Sequence, residues 1–171
     1  VVNLSLENCK TIYNETLYQC SNLTTISLPV CEYVGNSAFQ DCTSLTSINL
    51  PICTSIGSRA FYNCSSLSYV SLPICTSIGD RAFFRCGNIQ TMVLGVYSLS
   101  NEFSGRSLLK EVYLSNCSYV GREAFYNCSL TNIVIPNSVT SIGEGAFYNC
   151  DSLTTIELPN SITNIGYSAF Y

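Results

Sequence analysis

The chain has 171 residues, 47% apolar and only 11% charged, with a formal net charge of −4 and no histidine. No run of basic residues points to nucleic acid or an anionic membrane, and no apolar stretch has the length to span a bilayer. Without histidine, the commonest general base and the commonest metal ligand are both missing.

In chain order, the N-terminus "VVNLSLENCK" lacks the charged-then-apolar layout of a signal peptide. It already belongs to a repeat: Leu4, Leu6, Cys9, Ile12, Leu17 and Cys20 fall on columns that recur downstream, with Glu7 where proline usually stands. Cys20, Cys42, Cys64 and Cys86 lie 22 residues apart, and Cys128 and Cys150 repeat that interval. A second column (Cys9, Cys31, Cys53, Cys75, Cys117) runs halfway between. Each unit reads C-x-x-L-x-x-I-x-L-P-x-C-x-x-I-G-x-x-A-F-x-x. One unit places Leu45, Ile48, Leu50, Ile56, Ala60 and Phe61 on the apolar columns; the next places Leu67, Val70, Leu72, Ile78, Ala82 and Phe83.

The segment L-x-x-I-x-L predicts a strand with one buried face. Pro29, Pro51, Pro73, Pro136 and Pro159 follow it directly and stop it, because proline cannot extend the ladder. The I-G pair predicts a second short extended stretch, ending at a glycine that lets the backbone turn. A-F-x-x-C is too short for a full helix and predicts a turn or one round of 3₁₀ helix. A single unit cannot bury its apolar side. About eight of them, stacked, make a β-rich solenoid of parallel strands around one core.

One unit departs from this. After Met92 and Leu94 comes "GVYSLSNEFSGRS" (Gly95–Ser107), without Pro or I-G-x-x-A-F, with Gly95 and Arg106 near the skipped cysteine columns. Such a break reads as an inserted loop, a change of curvature, a functional feature or plain sequence decay. The last unit supplies Leu153, Ile156, Leu158, Ile165, Ala169 and Phe170, and the sequence stops mid-repeat at "NIGYSAFY". The expectation is a single solenoid domain over 1–171, a fragment of a longer array, whose bare ends favour end-to-end self-association.

Eleven cysteines raise three possibilities. Disulfides between stacked columns fit poorly: in-register neighbours lie about 4.8 Å apart with parallel Cβ vectors, whereas a disulfide needs Cβ atoms near 3.8 Å. Zinc sites use C-x₂₋₄-C pairs, and the shortest spacing here is eleven. The remaining reading is small buried filler, with the thiols of the second column donating weakly to a backbone carbonyl.

The residues L-x-x-I-x-L-x-x-C-x-x-I, extended by I-G-x-x-A-F-x-x-C, resemble the BspA-like (Treponema-type) leucine-rich repeats, and six of eight units carry that signature. The resemblance implies a right-handed leucine-rich repeat solenoid, found in surface proteins of bacteria and some protozoa, with roles in adhesion and partner binding. It implies no catalytic residue.

The sequence itself offers no triad, nucleophile elbow or phosphate loop, and no cofactor or metal site is expected. Glu32, Asp41, Asp80, Glu123, Glu144 and Asp151 read as solvated surface, with Glu123 and Glu144 meeting by stacking. The sequons at Asn22, Asn63 and Asn127 follow from a repeat that favours Asn-Cys-Ser. Two strand positions per unit face outward. The first column runs Asn3, Thr25, Ser47, Tyr69, Thr91, Glu111, Asn132, Thr155; the second runs Ser5, Ser27, Asn49, Ser71, Val93, Tyr113, Val134, Glu157. Polar residues dominate except at Tyr69, Val93, Tyr113 and Val134, with Glu111 beside them, which is a candidate contact for a protein partner. A non-catalytic adhesion or interaction module on a cell surface is therefore expected, with a stiff spacer as the alternative. The rings after each buried phenylalanine (Tyr62, Phe84, Tyr126, Tyr148, Tyr171) read as structural stacking.

Overall fold

A computed structural model of the chain describes residues 2–96, 98–99 and 103–171. They form two compact units, the first ending at Ile89 and the second running from Gln90 to Tyr171. The first contains β1 (Val2–Ser5), β2 (Thr11–Ile12), β3 (Leu23–Ser27), β4 (Tyr33–Val34), β5 (Ser47–Asn49), β6 (Ser55–Ile56), β7 (Tyr69–Leu72) and β8 (Ser77–Ile78). The second contains β9 (Thr91–Leu94), β10 (Ser98–Leu99), β11 (Glu111–Leu114), β12 (Tyr119–Val120), β13 (Asn132–Val134), β14 (Ser141–Ile142) and β15 (Asn164–Ile165). Every described pairing is parallel and joins one coil to the next: Ile48 faces Val70, Val34 faces Ile56, and Val112 lies between Met92 and Ile133. Each unit is thus a parallel β-solenoid, as the 22-residue period requires.

The proline columns act through turns as well as by stopping strands. Leu28-Pro29-Val30-Cys31 closes with the Cys31 amide on the Leu28 carbonyl, and the same bond joins Cys53 to Leu50 and Cys75 to Leu72. Proline stands at the second turn position, where its fixed φ is already suitable.

Of the two conformations open to A-F-x-x-C, the structure takes the turn, and a cross-linked one. The amides of Ala38, Gln40 and Cys42 bond three residues back within their own coil. Those of Ser37, Phe39 and Asp41 bond the carbonyls of Ser58, Ala60 and Tyr62 on the next coil at 2.9, 2.7 and 2.9 Å. This third ladder recurs at Arg59, Phe61 and Asn63 and at Glu123, Phe125 and Asn127. It needs left-handed backbone at two positions per turn, and apart from Gly145 non-glycine residues hold it: Glu15, Ser37, Arg59, Arg81, Glu123 and Ser168 in one column, Gln19, Asp41, Asn63, Arg85, Asn127 and Asn149 in the other, with φ between 51 and 62°. The conformation costs most residues about 1 kcal/mol, and Asn and Asp less. That tolerance accounts for the recurring Asn-Cys and hence for the sequons at Asn63 and Asn127; Asn22, in Asn22-Leu23-Thr24, lies outside both columns.

The glycine of I-G is required for a different reason from the one its place at a turn suggests. Gly35, Gly57, Gly79 and Gly143 do not have positive φ. A Cβ on Gly57 would lie 2.6 Å from the Asn36 nitrogen and the Gly35 carbonyl carbon. Stacked coils approach so closely here that no side chain fits.

The interior is built column upon column. Phe39 stacks on Phe61 and Phe61 on Phe83, with ring centroids 5.0 and 5.3 Å apart. Phe103, Phe125 and Phe147 do likewise in the second unit. Phe103 comes from the irregular stretch, where Val96 and Leu99 are also buried and Leu99 pairs with Val120. The break therefore keeps its core columns; Tyr97, Ser100, Asn101 and Glu102 lie outside the described residues. The last coil differs from expectation: residues 151–158 form no strand, and Leu158, Ile165 and Phe170 are exposed. Ile165 pairs with Ile142 and Phe170 stacks on Phe147, each on the preceding coil.

All eleven cysteines are free, and nine are buried. The thiols of Cys31, Cys53, Cys75 and Cys117 donate to the carbonyl two residues on, at 3.1–3.3 Å. Those of Cys42, Cys64, Cys128 and Cys150 reach back to the preceding coil, as Cys64 does to Phe39 at 3.1 Å. Val139 occupies the second column in its own coil and is equally buried, so the column asks for a small apolar body rather than sulfur chemistry. Burial pushes the Cys42 and Cys53 thiols up to about 12 and Cys128 to about 11. Cys64 is raised further, by the Cys86 thiol beside it and then by burial.

Two outcomes follow. Gly57→Ala costs about 2–3 kcal/mol in urea unfolding, because backbone must move, whereas Gly87→Ala, with open space around its Cβ, stays within about 0.5 kcal/mol. The raised thiols make the native state hold protons that the unfolded chain releases above its ordinary value near 9. The urea midpoint is accordingly flat up to about pH 8 and falls steadily from about 9 to 12.

Candidate functional site

A strand on the outside of such a coil points alternate residues at the core and at solvent. On β9, β11 and β13, Met92, Val112 and Ile133 go inward and are buried. The residues that follow them go outward, and register places Val93, Tyr113 and Val134 on consecutive rungs. With rungs about 4.8 Å apart, they form a strip roughly 10 Å long. Val134 is 48% exposed, while Val93 and Tyr113 are half-buried. Glu111, two residues before Tyr113, lies in register with Thr91 and Asn132, and the Thr91 hydroxyl donates to its carboxylate at 3.4 Å. The strip combines two branched side chains, one ring and its hydroxyl with a polar margin. It suits apolar burial with a few hydrogen bonds at its edge.

Tyr69 belongs to the first unit, where it is 39% exposed and pairs with Ser47. On β1 and β3 that unit's strand face is polar and internally bonded. Thr25 donates to the Asn3 amide oxygen at 2.8 Å, and the Ser5 and Ser27 hydroxyls both donate to Glu7, which holds that carboxyl below its ordinary range. Two outward expectations are corrected. Ser71 is buried, only 7% exposed, a short side chain paired with the larger Asn49. Thr155 and Glu157 lie on no strand and extend neither column.

Glu123 and Glu144 do meet, with Arg122 between them, its guanidinium 3.3 and 3.7 Å from the two carboxylates. Lys10 likewise pairs with Glu32 at 3.2 Å. These are exposed ion pairs, worth little in water. The stacked outer rings are found as expected: Tyr62 on Phe84 at 5.5 Å, Tyr126 on Tyr148 at 5.0 Å and Tyr148 on Tyr171 at 4.9 Å. The sequence reading does not single out Arg59, Arg81 and Arg85, whose side chains gather over the first of these pairs. The 22-residue interval between Arg59 and Arg81 was the available sign; Arg85 joins them only through the left-handed turn.

No described helix is long and apolar enough to cross a membrane. No curated protein matches the sequence. Among solved structures, a leucine-rich repeat protein from Bacteroides ovatus is 28% identical with a TM-score of 0.70, and the match covers all of this chain and 46% of that one. A leucine rich cell surface protein from Faecalibacterium prausnitzii is 27% identical with a TM-score of 0.66, over 95% of this chain and 47% of that one. The Treponema pallidum leucine rich repeat protein shares the fold at 22% identity and a TM-score of 0.60, over 96% and 73%. The chain thus spans less than half the length of the first two. The BspA type leucine rich repeat region matches in six copies over residues 10–120 and 118–171. With the coil geometry and nearly the whole length in agreement, the chain belongs to the BspA-type leucine-rich repeat family.

Proposed function

We propose that this chain is a non-catalytic interaction module that holds a protein partner against its strand face, on a cell surface. The observation that carries the reading is the Val93–Tyr113–Val134 strip: three consecutive outward rungs of the second unit are apolar or aromatic, beside Thr91, Glu111 and Asn132. An aromatic anchor inside a polar margin is the usual composition of an interface centre. Glu111 supplies a charge at the margin, and Tyr69 a second exposed ring in the first unit. A surface location is supported by the fold it shares with the cell surface protein of F. prausnitzii.

Pull-down against surface proteins of contacting cells recovers a saturable partner under this reading, and a spacer recovers none. Tyr113→Ala and Val134→Ser then weaken that partner by about tenfold or more each, the usual size of an anchor contribution. Unchanged binding in Tyr69→Ala and Tyr113→Ala removes the strip from consideration.

The reading extends to end-to-end association of two copies. Val2, Leu4, Leu17 and Cys20 line an apolar cleft of about 240 Å³ in the first unit. In the second, Leu158, Phe170 and the 52% exposed Ile165 show apolar surface. Static light scattering gives an apparent mass that rises with concentration, and Ile165→Lys abolishes the rise; a flat profile for the parent chain sinks this extension.

A further inference from the structure

Three of the chain's seven basic residues stand together on the turn ladder of the first unit. Arg59 and Arg81 occupy one left-handed column and Arg85 the other, with φ of 55, 54 and 62°. Elsewhere these columns hold mostly Asn, Asp, Ser and Gly, and also Glu15, Gln19 and Glu123. What sets the three arginines apart is that their charges gather at one place.

Their side chains converge on two stacked rings. The Arg59 and Arg85 guanidinium carbons lie 6.0 and 5.9 Å from the Tyr62 centroid, and that of Arg81 lies 5.9 Å from Phe84. The rings are 5.5 Å apart, and Phe84 is 48% exposed. Two carboxylates share this edge. Asp80 lies 3.7 Å from Arg81, both well exposed, and Asp41 accepts from the Asn63 side-chain amide at 2.7 Å. An exposed pair of this kind leaves Arg81 available to a better acceptor. A guanidinium held over a ring is weakly hydrated, and its forked donors match a carboxylate at two points.

We propose that Arg59, Arg81 and Arg85, laid over Tyr62 and Phe84, form a second docking edge that takes an acidic segment of a partner protein. Carboxylates meet the guanidinium groups, and an apolar or aromatic side chain between them covers Phe84. Arginine with aromatic residues, and no lysine, is the composition of protein interfaces. A polyphosphate carries no apolar group to cover the 48% exposed Phe84, whereas a polypeptide does.

The probe is a short fluorescein-labelled peptide of Glu, Asp and Phe, read by anisotropy with the full chain. Saturable binding that weakens as NaCl is raised is expected, and none with the Gln/Asn counterpart. The triple variant Arg59→Gly, Arg81→Gly, Arg85→Gly loses affinity by about tenfold or more, while its melting temperature does not fall, because glycine takes the left-handed turn without strain. That pairing separates lost binding from lost folding. Tyr113→Ala leaves the peptide bound as before. Absence of binding, equal binding of the neutral peptide, full affinity in the triple variant, or loss in Tyr113→Ala overturns the proposal. Displacement of the peptide by oligothymidylate or heparin at lower concentration overturns the choice of a polypeptide.

Discussion

The distance between one coil and the next governs this structure. Parallel backbones bonded amide to carbonyl lie about 4.8 Å apart, and here three separate ladders enforce that spacing: two sets of strands and the cross-linked turn. Once the backbone repeats at that distance, each side-chain column faces its own copies. Phenylalanines stack on phenylalanines, Asn14 accepts from the Asn36 amide and Asn36 from that of Ser58. The glycine column marks where the approach is closest. No coil satisfies its turn amides alone, so the coils within each unit support one another.

The cysteines take their meaning from the same spacing. A thiol is small, tolerates an apolar setting and donates weakly, and both columns use it so, one toward its own coil and one toward the coil before. Val139 shows that the sulfur itself is dispensable at its column. Burial pushes up the thiols of Cys31, Cys42, Cys53, Cys75, Cys117, Cys128 and Cys150, as it does for sulfur used as a packing group.

If columns are what the fold demands, departures from a column are where other demands show. Small polar residues on the strand face and Asn, Asp, Ser or Gly in the left-handed slots serve stacking. Val93, Tyr113 and Val134 depart from this on the face; in the slots Glu15, Gln19, Glu123 and the three arginines do, and of these Arg59, Arg81 and Arg85 gather over one pair of rings. The first group is an apolar strip beside a carboxylate; the second is cationic over aromatic rings. They favour different chemistry in a partner, and each variant set leaves the other group intact.

The period, the strand positions, the inward Leu, Ile and Phe columns, and the two cysteine columns were legible in the residues, because a repeat fills the same environment with the same letter. Burial of Val34, Val70 and Phe61 follows from that alone. Other features needed the fold. Nothing local says that Gly57 is short of room rather than in need of positive φ, since the obstructing backbone belongs to residues 21 and 22 positions earlier. Nor does the letter pattern show that Leu158 is exposed, that Ser71 is hidden, or that Arg85 swings over Tyr62. Sequence determined which columns exist, since each reports its average surroundings along the chain. Tertiary structure decided what each individual member meets, because that depends on the neighbour one coil away.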